Sequence, residues 1–247
     1  MGNELVGASL KRYEIGVILP TYGEAENIGN LIEDIEDLSL NSTILVIDDS
    51  SPDETANIVK EKQKTYPNII LCNRPKKSGL GSAITDGFRF FLNDANPPKY
   101  VLTMDADYSH NPQDMPKLLT TMRECNCGIV IGSRYSKGGQ IEGWPLSRKI
   151  ISKTANYIAR ASLGLELQDC TAGFRCYSTE FLREVISSLH SQTYEIQIET
   201  VRQASLRAFF VKETPVRFVN RKQGKSKLTW LEIKSFLSYT VKAVWRS

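Results

Sequence analysis

Two aspartates separated by one residue, Asp105 and Asp107, follow the apolar run Tyr100 to Met104. A strand there delivers both carboxylates to the loop at its end, where both can reach one divalent ion. Hard oxygen ligands favour Mg²⁺ or Mn²⁺, commonly shared with the phosphates of a substrate. A solvated Asp-rich turn would use the same residues, but the preceding strand aims them at the crevice beyond the sheet. A second acidic pair, Asp48 and Asp49, ends the run Thr43 to Ile47. Basic residues gather in two places. Arg134 to Arg160 holds six of them against the single acid Glu142, and Asn220 to Ser247 holds seven against Glu232. Such blocks attract phosphate on nucleotides, nucleic acids or anionic lipids, and they equally describe a solvated basic face.

The elements that must position these groups alternate along the chain. Ile15 to Leu19 reads as a buried strand ending at Pro20, followed by a helix over Ala25 to Asp37. Thr43 to Ile47, Ile69 to Leu71, Tyr100 to Met104 and Gly128 to Ile131 repeat the strand pattern. Helices are expected between Asp53 and Pro67, from Gly79-Leu80-Gly81 to Leu92, and from Met115 to Arg123. Continuously apolar strands separated by helices imply parallel β-α units, hence an α/β, Rossmann-like, mostly parallel sheet with helices on both faces. Ligands of such sheets bind beyond the carboxyl ends of the strands. That rule brings Pro20 to Glu24, Asp48 with Asp49, and Asp105 with Asp107 to one crevice. No Gly-x-Gly-x-x-Gly follows the first strand and no Walker loop occurs, which disfavours a dinucleotide oxidoreductase and a P-loop NTPase. Beyond Ser133, Gly138 and Gly139 read as a flexible loop and Pro145 to Leu163 as a basic helix. Phe174 to Tyr177 reads as a strand, Glu180 to Ile186 as a helix, and Val211 to Val219 as a strand broken at Pro215. Thr229 to Trp245 is helix-like and mixes aromatic and aliphatic groups with lysines.

The 247 residues, 41% hydrophobic and 24% charged, suit one medium-sized domain with a real core. They exclude a disordered, collagen-like or small disulfide-scaffold protein. No apolar run reaches the roughly 18 residues of a membrane-spanning helix, and no secretory signal is expected. Five cysteines, an odd number at unhelpful spacings, are read as reduced thiols of a cytosolic setting. Cys125 and Cys127 lack the second Cys or His pair of a zinc site.

Five motifs occur in order: Pro20-Thr21-Tyr22-Gly23-Glu24, Ile47 through Asp53, Gly79-Leu80-Gly81, Asp105-Ala106-Asp107 and Gly132-Ser133-Arg134-Tyr135. On them the sequence resembles the inverting, nucleotide-sugar-dependent glycosyltransferases of the A-type fold. Asn73 through Gly81, Trp144 through Arg148, Thr171 through Arg175 and Arg221 through Lys227 are similar to the dolichol-phosphate mannose synthase (polyprenyl-phosphate mannosyltransferase) family. That closer resemblance covers about Tyr13 to Leu237.

The resemblance implies a catalytic domain over 13–228; the patternless residues 1–12 read as a flexible leader, and 229–247 as an amphipathic basic helix that either packs on the domain or faces a membrane. The resemblance further implies that Pro20, Tyr22, Glu24, Ile47 and Asp49 hold the guanosine part of GDP-mannose, with Asp48 bracing the loop. Asp105 and Asp107, with Ala106 between them, would hold Mg²⁺ or Mn²⁺ against the donor diphosphate. Some relatives place a Gln ligand where this chain has Ser109, whose reach is shorter, so Ser109 stays outside the expected metal set. Arg134, Arg221 and Lys227 match the phosphate clamp on the donor, and Asp105, Asp107 and Arg134 form the expected catalytic set. Arg148 and Arg175 either hold the acceptor phosphate or serve as structural bridges. Asp169 and Glu199 are candidates to orient such arginines, and His110 is given no catalytic role.

The implied reaction carries mannose from GDP-mannose to dolichyl or another polyprenyl phosphate with inversion, releasing GDP. A UDP-glucose-dependent polyprenyl-phosphate glucosyltransferase and a nonenzymatic nucleotide-sugar-binding module remain as alternatives. The implied partners are the two substrates, a membrane surface and membrane helper subunits; no nucleic acid is expected. The implied location is peripheral, on the cytoplasmic face of a membrane: the endoplasmic reticulum in a eukaryote, the plasma membrane in a prokaryote.

Overall fold

A computed structural model describes residues 4–6 and 13–220 of the chain. The first half is a run of β-α units: strand β1 (Glu4–Val6), β2 (Ile15–Thr21), helix α1 (Ala25–Glu36), β3 (Ser42–Asp48), α2 (Thr55–Thr65), β4 (Ile69–Asn73), α3 (Leu80–Leu92) and β5 (Tyr100–Thr103). The second half holds α4 (Met115–Cys125), β6 (Ile129–Ser133), β7 (Gln140–Glu142), α5 (Leu146–Leu163), β8 (Arg175–Ser178), α6 (Thr179–Val185), α7 (Ile196–Leu206), β9 (Val211–Pro215) and β10 (Arg217–Val219).

Eight strands form one sheet in the order β1-β4-β3-β2-β5-β8-β6-β9, and β10 pairs with β7 beside it. Pairings β4–β3, β3–β2, β2–β5 and β6–β9 are parallel, while β1 and β8 run antiparallel to their neighbours. The mostly parallel α/β sheet expected from the apolar runs is therefore present. Burial on both faces explains why β3 (Ser-Thr-Ile-Leu-Val-Ile-Asp) has no polar alternation: every one of its residues is buried. On one face α1 sets Ile28, Leu31, Ile32 and Ile35, at helical spacing, against Val17, Leu19, Ile44 and Val46. On the other, Ala83, Ile84, Phe88 and Phe91 of α3 pack with Ile18, Leu45 and Ile47. Each such fully buried aliphatic side chain contributes about 1.5–3 kcal/mol.

Two expectations need correction, and two elements are added to those expected. Residues 4–6, read as part of a leader, pair with Asn73, Cys72 and Leu71 at the edge of β4; edge pairing runs through backbone groups and leaves little trace in sequence. The glycine loop at 138–139 leads directly into β7, which pairs with β10. Helix α7 went unread because Ile196 to Val201 are all buried, so it shows no polar stripe. Cys125 and Cys127 are joined by a disulfide, against the reduced state expected; Cys72, Cys170 and Cys176 are free and buried. The expected basic helix at 229–247 and the boundary at 228 lie outside the described residues. Among the described residues, no helix is long and apolar enough to cross a membrane.

Candidate active site

The carboxyl ends of β2, β3 and β5 open into one cleft, where Pro20, Tyr22, Glu24, Asp49, Asp105, Ala106 and Asp107 come together. Asp48 accepts from Thr21 Oγ1 at 2.8 Å and from the Ser51 backbone N–H at 2.8 Å, tying the β2 and β3 loops to each other. It braces the cleft and does not line it. Asp53 accepts from the Ala25 N–H at 3.2 Å and the Thr55 N–H at 3.1 Å, so one carboxylate serves the starts of both α1 and α2. Glu24 accepts from Asn27 Nδ2 at 2.9 Å at the rim.

Asp49 lines the cleft, but its carboxylate is committed to protein groups. Arg74 Nε donates to Asp49 Oδ1 at 2.5 Å, and the backbone N–H groups of Ser78 and Gly79 donate to Oδ2 at 3.0 and 3.3 Å. Arg74 also reaches Ser82 Oγ (2.8 Å), Asp86 (3.2 Å) and the Gly79 carbonyl (3.2 Å). In this arrangement Asp49 folds the 74–79 loop against the cleft while still lining it. Gly79 has φ +96°, and a Cβ there would lie 2.4 Å from the Gln192 carbonyl oxygen. Only glycine lets the loop enter α3 at that angle.

Asp105 and Asp107 face the same cleft from the loop after β5. Asp107 is 7% exposed and accepts from the Ser109 N–H at 3.0 Å. Two carboxylates with hard oxygens fit a divalent ion shared with substrate phosphates. The buried Ser109 Oγ has no hydrogen-bond partner among the described residues. Among the described residues no third His, Cys, Asp or Glu joins the pair. Gly173 lies against Asp105: a Cβ there would make ordinary contact with Asp105 Oδ1 at 3.4 Å.

Arg134 lies next to this cleft rather than in it. Its Nε and Nη2 donate to the two oxygens of Asp169, both at 2.7 Å, its backbone N–H donates to Oδ2 at 3.0 Å, and Nη2 also reaches Thr171 Oγ1 at 2.8 Å. The rings of Tyr135, Trp144 and Phe218 surround it at 5.4–5.5 Å. Burial alone would lower the Arg134 pKa, but the charge and hydrogen bonds of Asp169, with smaller help from Tyr135 and Asp105, hold it above the ordinary value. Asp169, fully buried, is held below the ordinary carboxylate range: burial pushes it up, and the Arg134 charge and hydrogen bonds more than offset that. The Arg134 guanidinium is thus paired with Asp169 and is not among the residues that line the Asp105 cleft. His110, packed between Phe174 and Phe218, has its pKa lowered to about 4, chiefly by burial, and is neutral near pH 7.

One further expectation is corrected and one open alternative is decided. Ile47 is 1% exposed and packs in the core with Ile18 and Leu45, so its side chain does not reach a donor. Arg175 is wholly buried and spends its guanidinium on the carbonyls of Ala172, Cys170 and Gln197 and on Thr200 Oγ1, at 2.6–2.9 Å. It is the structural bridge of the two readings, not an acceptor ligand. Arg148 lies with Cζ 4.2 Å from the Trp144 ring centroid and donates to Asn220 Oδ1 at 3.0 Å, outside the Asp105 cleft. Arg221 and Lys227 lie outside the described residues. Glu199 accepts from the backbone N–H groups of His190 and Ser191 and so fixes the approach to Thr193 and Tyr194.

Sequence reasoning missed Lys77, Thr193 and Tyr194, which line the cleft. Lys77 Nζ sits 4.1 Å from the Tyr22 ring centroid. A lysine pair just before Gly79 was the available signal for it. Thr193 and Tyr194 precede the helix that sequence periodicity could not show.

The model of glycosyl transferase family 2 matches residues 16–196. The chain is 38% identical over 214 residues to an undecaprenyl-phosphate mannosyltransferase of Micrococcus luteus, covering 86% of each. It is 36% identical over 220 residues to a polyprenol monophosphomannose synthase of Mycolicibacterium smegmatis, covering 88% of this chain and 82% of that one. Glucosyl-3-phosphoglycerate synthase from Mycobacterium tuberculosis, solved with Mn²⁺, UDP and glucosyl-3-phosphoglycerate, has a similar fold: TM-score 0.64, 17% identity, 95% of this chain and 79% of that one. A mannosyltransferase from Pyrobaculum calidifontis, solved with GDP-mannose and Mn²⁺, gives TM-score 0.63 at 15% identity, covering 94% of this chain and 65% of that one.

Proposed function

The chain belongs to glycosyl transferase family 2, and on that premise we propose that it transfers mannose from GDP-mannose to a polyprenyl phosphate, with inversion at the anomeric carbon. The observation that carries this reading is the pair Asp105 and Asp107 facing one cleft with Tyr22, Glu24 and Lys77. The two relatives named for polyprenyl-phosphate mannosyl transfer support the substrate class.

Tyr22, with Pro20 and Leu80 beside it, offers a flat apolar wall for a nucleoside, and Lys77 meets the phosphates at its edge. Asp105 and Asp107 would hold Mg²⁺ or Mn²⁺, which when bound neutralises charge on the departing diphosphate. Beside the cleft, Asp169 holds the Arg134 guanidinium charged and fixed, so that it needs no reorganising during reaction. A phosphate acceptor is already an anion at neutral pH, so attack opposite the diphosphate needs no side chain to remove a proton. The neutral, enclosed His110 is consistent with that economy. Most of the rate gain then comes from holding acceptor oxygen and anomeric carbon in line. We place the enzyme peripherally on the cytoplasmic face of a membrane, where such an acceptor presents its headgroup.

The test is a matrix of GDP-mannose, GDP-glucose, UDP-glucose and UDP-GlcNAc against polyprenyl phosphate in detergent, with and without chelator. Mannosyl phospholipid formed from GDP-mannose only, as the β-anomer, lost with chelator and restored by Mn²⁺ or Mg²⁺, is expected. Preference for UDP-glucose would overturn the donor assignment.

A further inference from the structure

Gln197, the second residue of α7, is 2% exposed, and neither its Nε2 nor its Oε1 has a hydrogen-bond partner among the described residues. A buried carboxamide is ordinarily bonded, because leaving its polar atoms unpaired costs stability. Groups close by are already committed. The Gln197 backbone carbonyl receives Arg175 Nη1 at 2.6 Å, and Thr200 Oγ1 receives the same nitrogen at 2.9 Å. The side-chain amide instead faces the 170–175 loop. A Cβ on Gly173 would stand 3.5 Å from Gln197 Nε2, and 3.4 and 3.6 Å from the two carboxylate oxygens of Asp105. Amide nitrogen and carboxylate therefore lie against the same side of Gly173. The loop between them is held from both directions. Thr103 Oγ1 of β5 donates to the Gly173 carbonyl at 2.8 Å. Arg175 ties the carbonyls of Ala172 and Cys170, both at 2.7 Å, to the start of α7.

We propose that Gln197 is a positioning residue for the divalent cation of this site, acting through Asp105. As the cation draws one Asp105 oxygen, Gln197 Nε2 donates to the other and holds the carboxylate at the angle the ion requires. The nitrogen is the right atom for this task, since an ionised carboxylate only accepts. A bond to a charged acceptor is also stronger than one between neutral groups. Partners that orient a ligating carboxylate in this way commonly change metal affinity by about ten- to a hundredfold. Gln197 is not among the residues that line the cleft, so it works from behind the ligand and not on the substrate. The inference rests on the reading of Asp105 and Asp107 as a cation site. It does not depend on which sugar is transferred.

The test titrates Mn²⁺ into the full chain, with and without GDP, and follows the free ion by electron paramagnetic resonance. Gln197→Met keeps the length of the side chain and removes its donor. Mn²⁺ affinity is expected to fall about tenfold in this variant. Its thermal midpoint should equal or exceed that of the wild type, because an unpaired buried amide has gone. An amide that served the fold alone would give the reverse, a lower midpoint with Mn²⁺ affinity unchanged. Gly173→Ala is the second variant. Its methyl makes ordinary contact with both groups, so the fold is kept while their approach is obstructed, and Mn²⁺ affinity should fall to a similar extent. Unchanged Mn²⁺ affinity in Gln197→Met would overturn the proposal, whatever its midpoint. Should that variant not fold, unchanged affinity in Gly173→Ala would do so. A wild-type chain that takes up no Mn²⁺, with or without GDP, would instead remove the cation reading of Asp105 and Asp107, and this inference with it.

Discussion

Arg134 and Asp169 meet fork to fork, with Nε and Nη2 each 2.7 Å from a carboxylate oxygen and both side chains less than a tenth exposed. Geometry of this kind is strongly directional, and it couples the stability of the β6 end to the site beside it.

Breaking that pair from one side leaves a buried charge without its partner. Asp169→Asn is expected to cost about 3–5 kcal/mol, read as a lower midpoint in thermal or urea unfolding near pH 7. The folded pKa of Asp169 lies below the unfolded value of about 3.9, so the pair stabilises fully above that pH. Its contribution fades as pH falls through the folded value. The stability gap between wild type and variant should therefore be constant from pH 7 to 5 and close below about pH 4. A gap that widened in acid would contradict the assignment.

A methyl group at Gly81 would stand 2.6 Å from the Ser191 carbonyl oxygen and 2.7 Å from that of Thr193. Both obstacles are backbone, so the 191–193 segment must shift to admit Gly81→Ala. The expected cost is about 1–3 kcal/mol. Because Thr193 and Tyr194 line the cleft, donor affinity measured by calorimetry should weaken by about tenfold. Wild-type affinity in a destabilised variant would separate α3 packing from the cleft wall.

Lys77 over the Tyr22 ring makes a testable distinction between ring and hydroxyl. Tyr22→Phe keeps the face that Lys77 and a nucleoside both use, and its donor KM should stay within about twofold. Tyr22→Ala and Lys77→Ala should each raise donor KM by about five- to thirtyfold, with a smaller effect on kcat. Equal losses in the Phe and Ala variants would shift the role to the phenol oxygen.

Arg175 should behave as a structural residue. Arg175→Lys strands several buried carbonyls without a donor, at a cost of about 3 kcal/mol or more. Enough folded variant, recovered at low temperature, should show an acceptor KM close to wild type. A stable protein with a greatly raised acceptor KM would return Arg175 to the acceptor site.

Residues whose work is local were readable in the sequence, and residues whose work depends on distant partners were not. Apolar runs without alternation located β2, β3 and β5, and the rule for parallel sheets then brought Tyr22, Glu24, Asp105 and Asp107 to one edge. Asp49 carried the same apparent promise, but its partner Arg74 stands 25 residues away and captures its carboxylate. Arg134 and Asp169 are 35 apart, and neither motif announces the other. Sequence alone leaves Arg175 between phosphate ligand and structural bridge, because partners that decide it come from α7, the helix that periodicity does not show. Ile47 was assigned through a motif whose neighbours do line the cleft, while strand alternation sends its own side chain into the core.

The antiparallel strand β8 has a consequence for how the chain assembles during synthesis. Strands β5 and β6 do not touch each other along the sheet; each pairs with β8, which is made some forty residues after β6. A nascent chain released only as far as α5 therefore has an open edge on β5, and β6 has no partner strand yet. Unpaired edges of this kind recruit other strands. The interval between residues 133 and 175 is thus a window of vulnerability on the ribosome, closed when Arg175 to Ser178 slide between two strands already built.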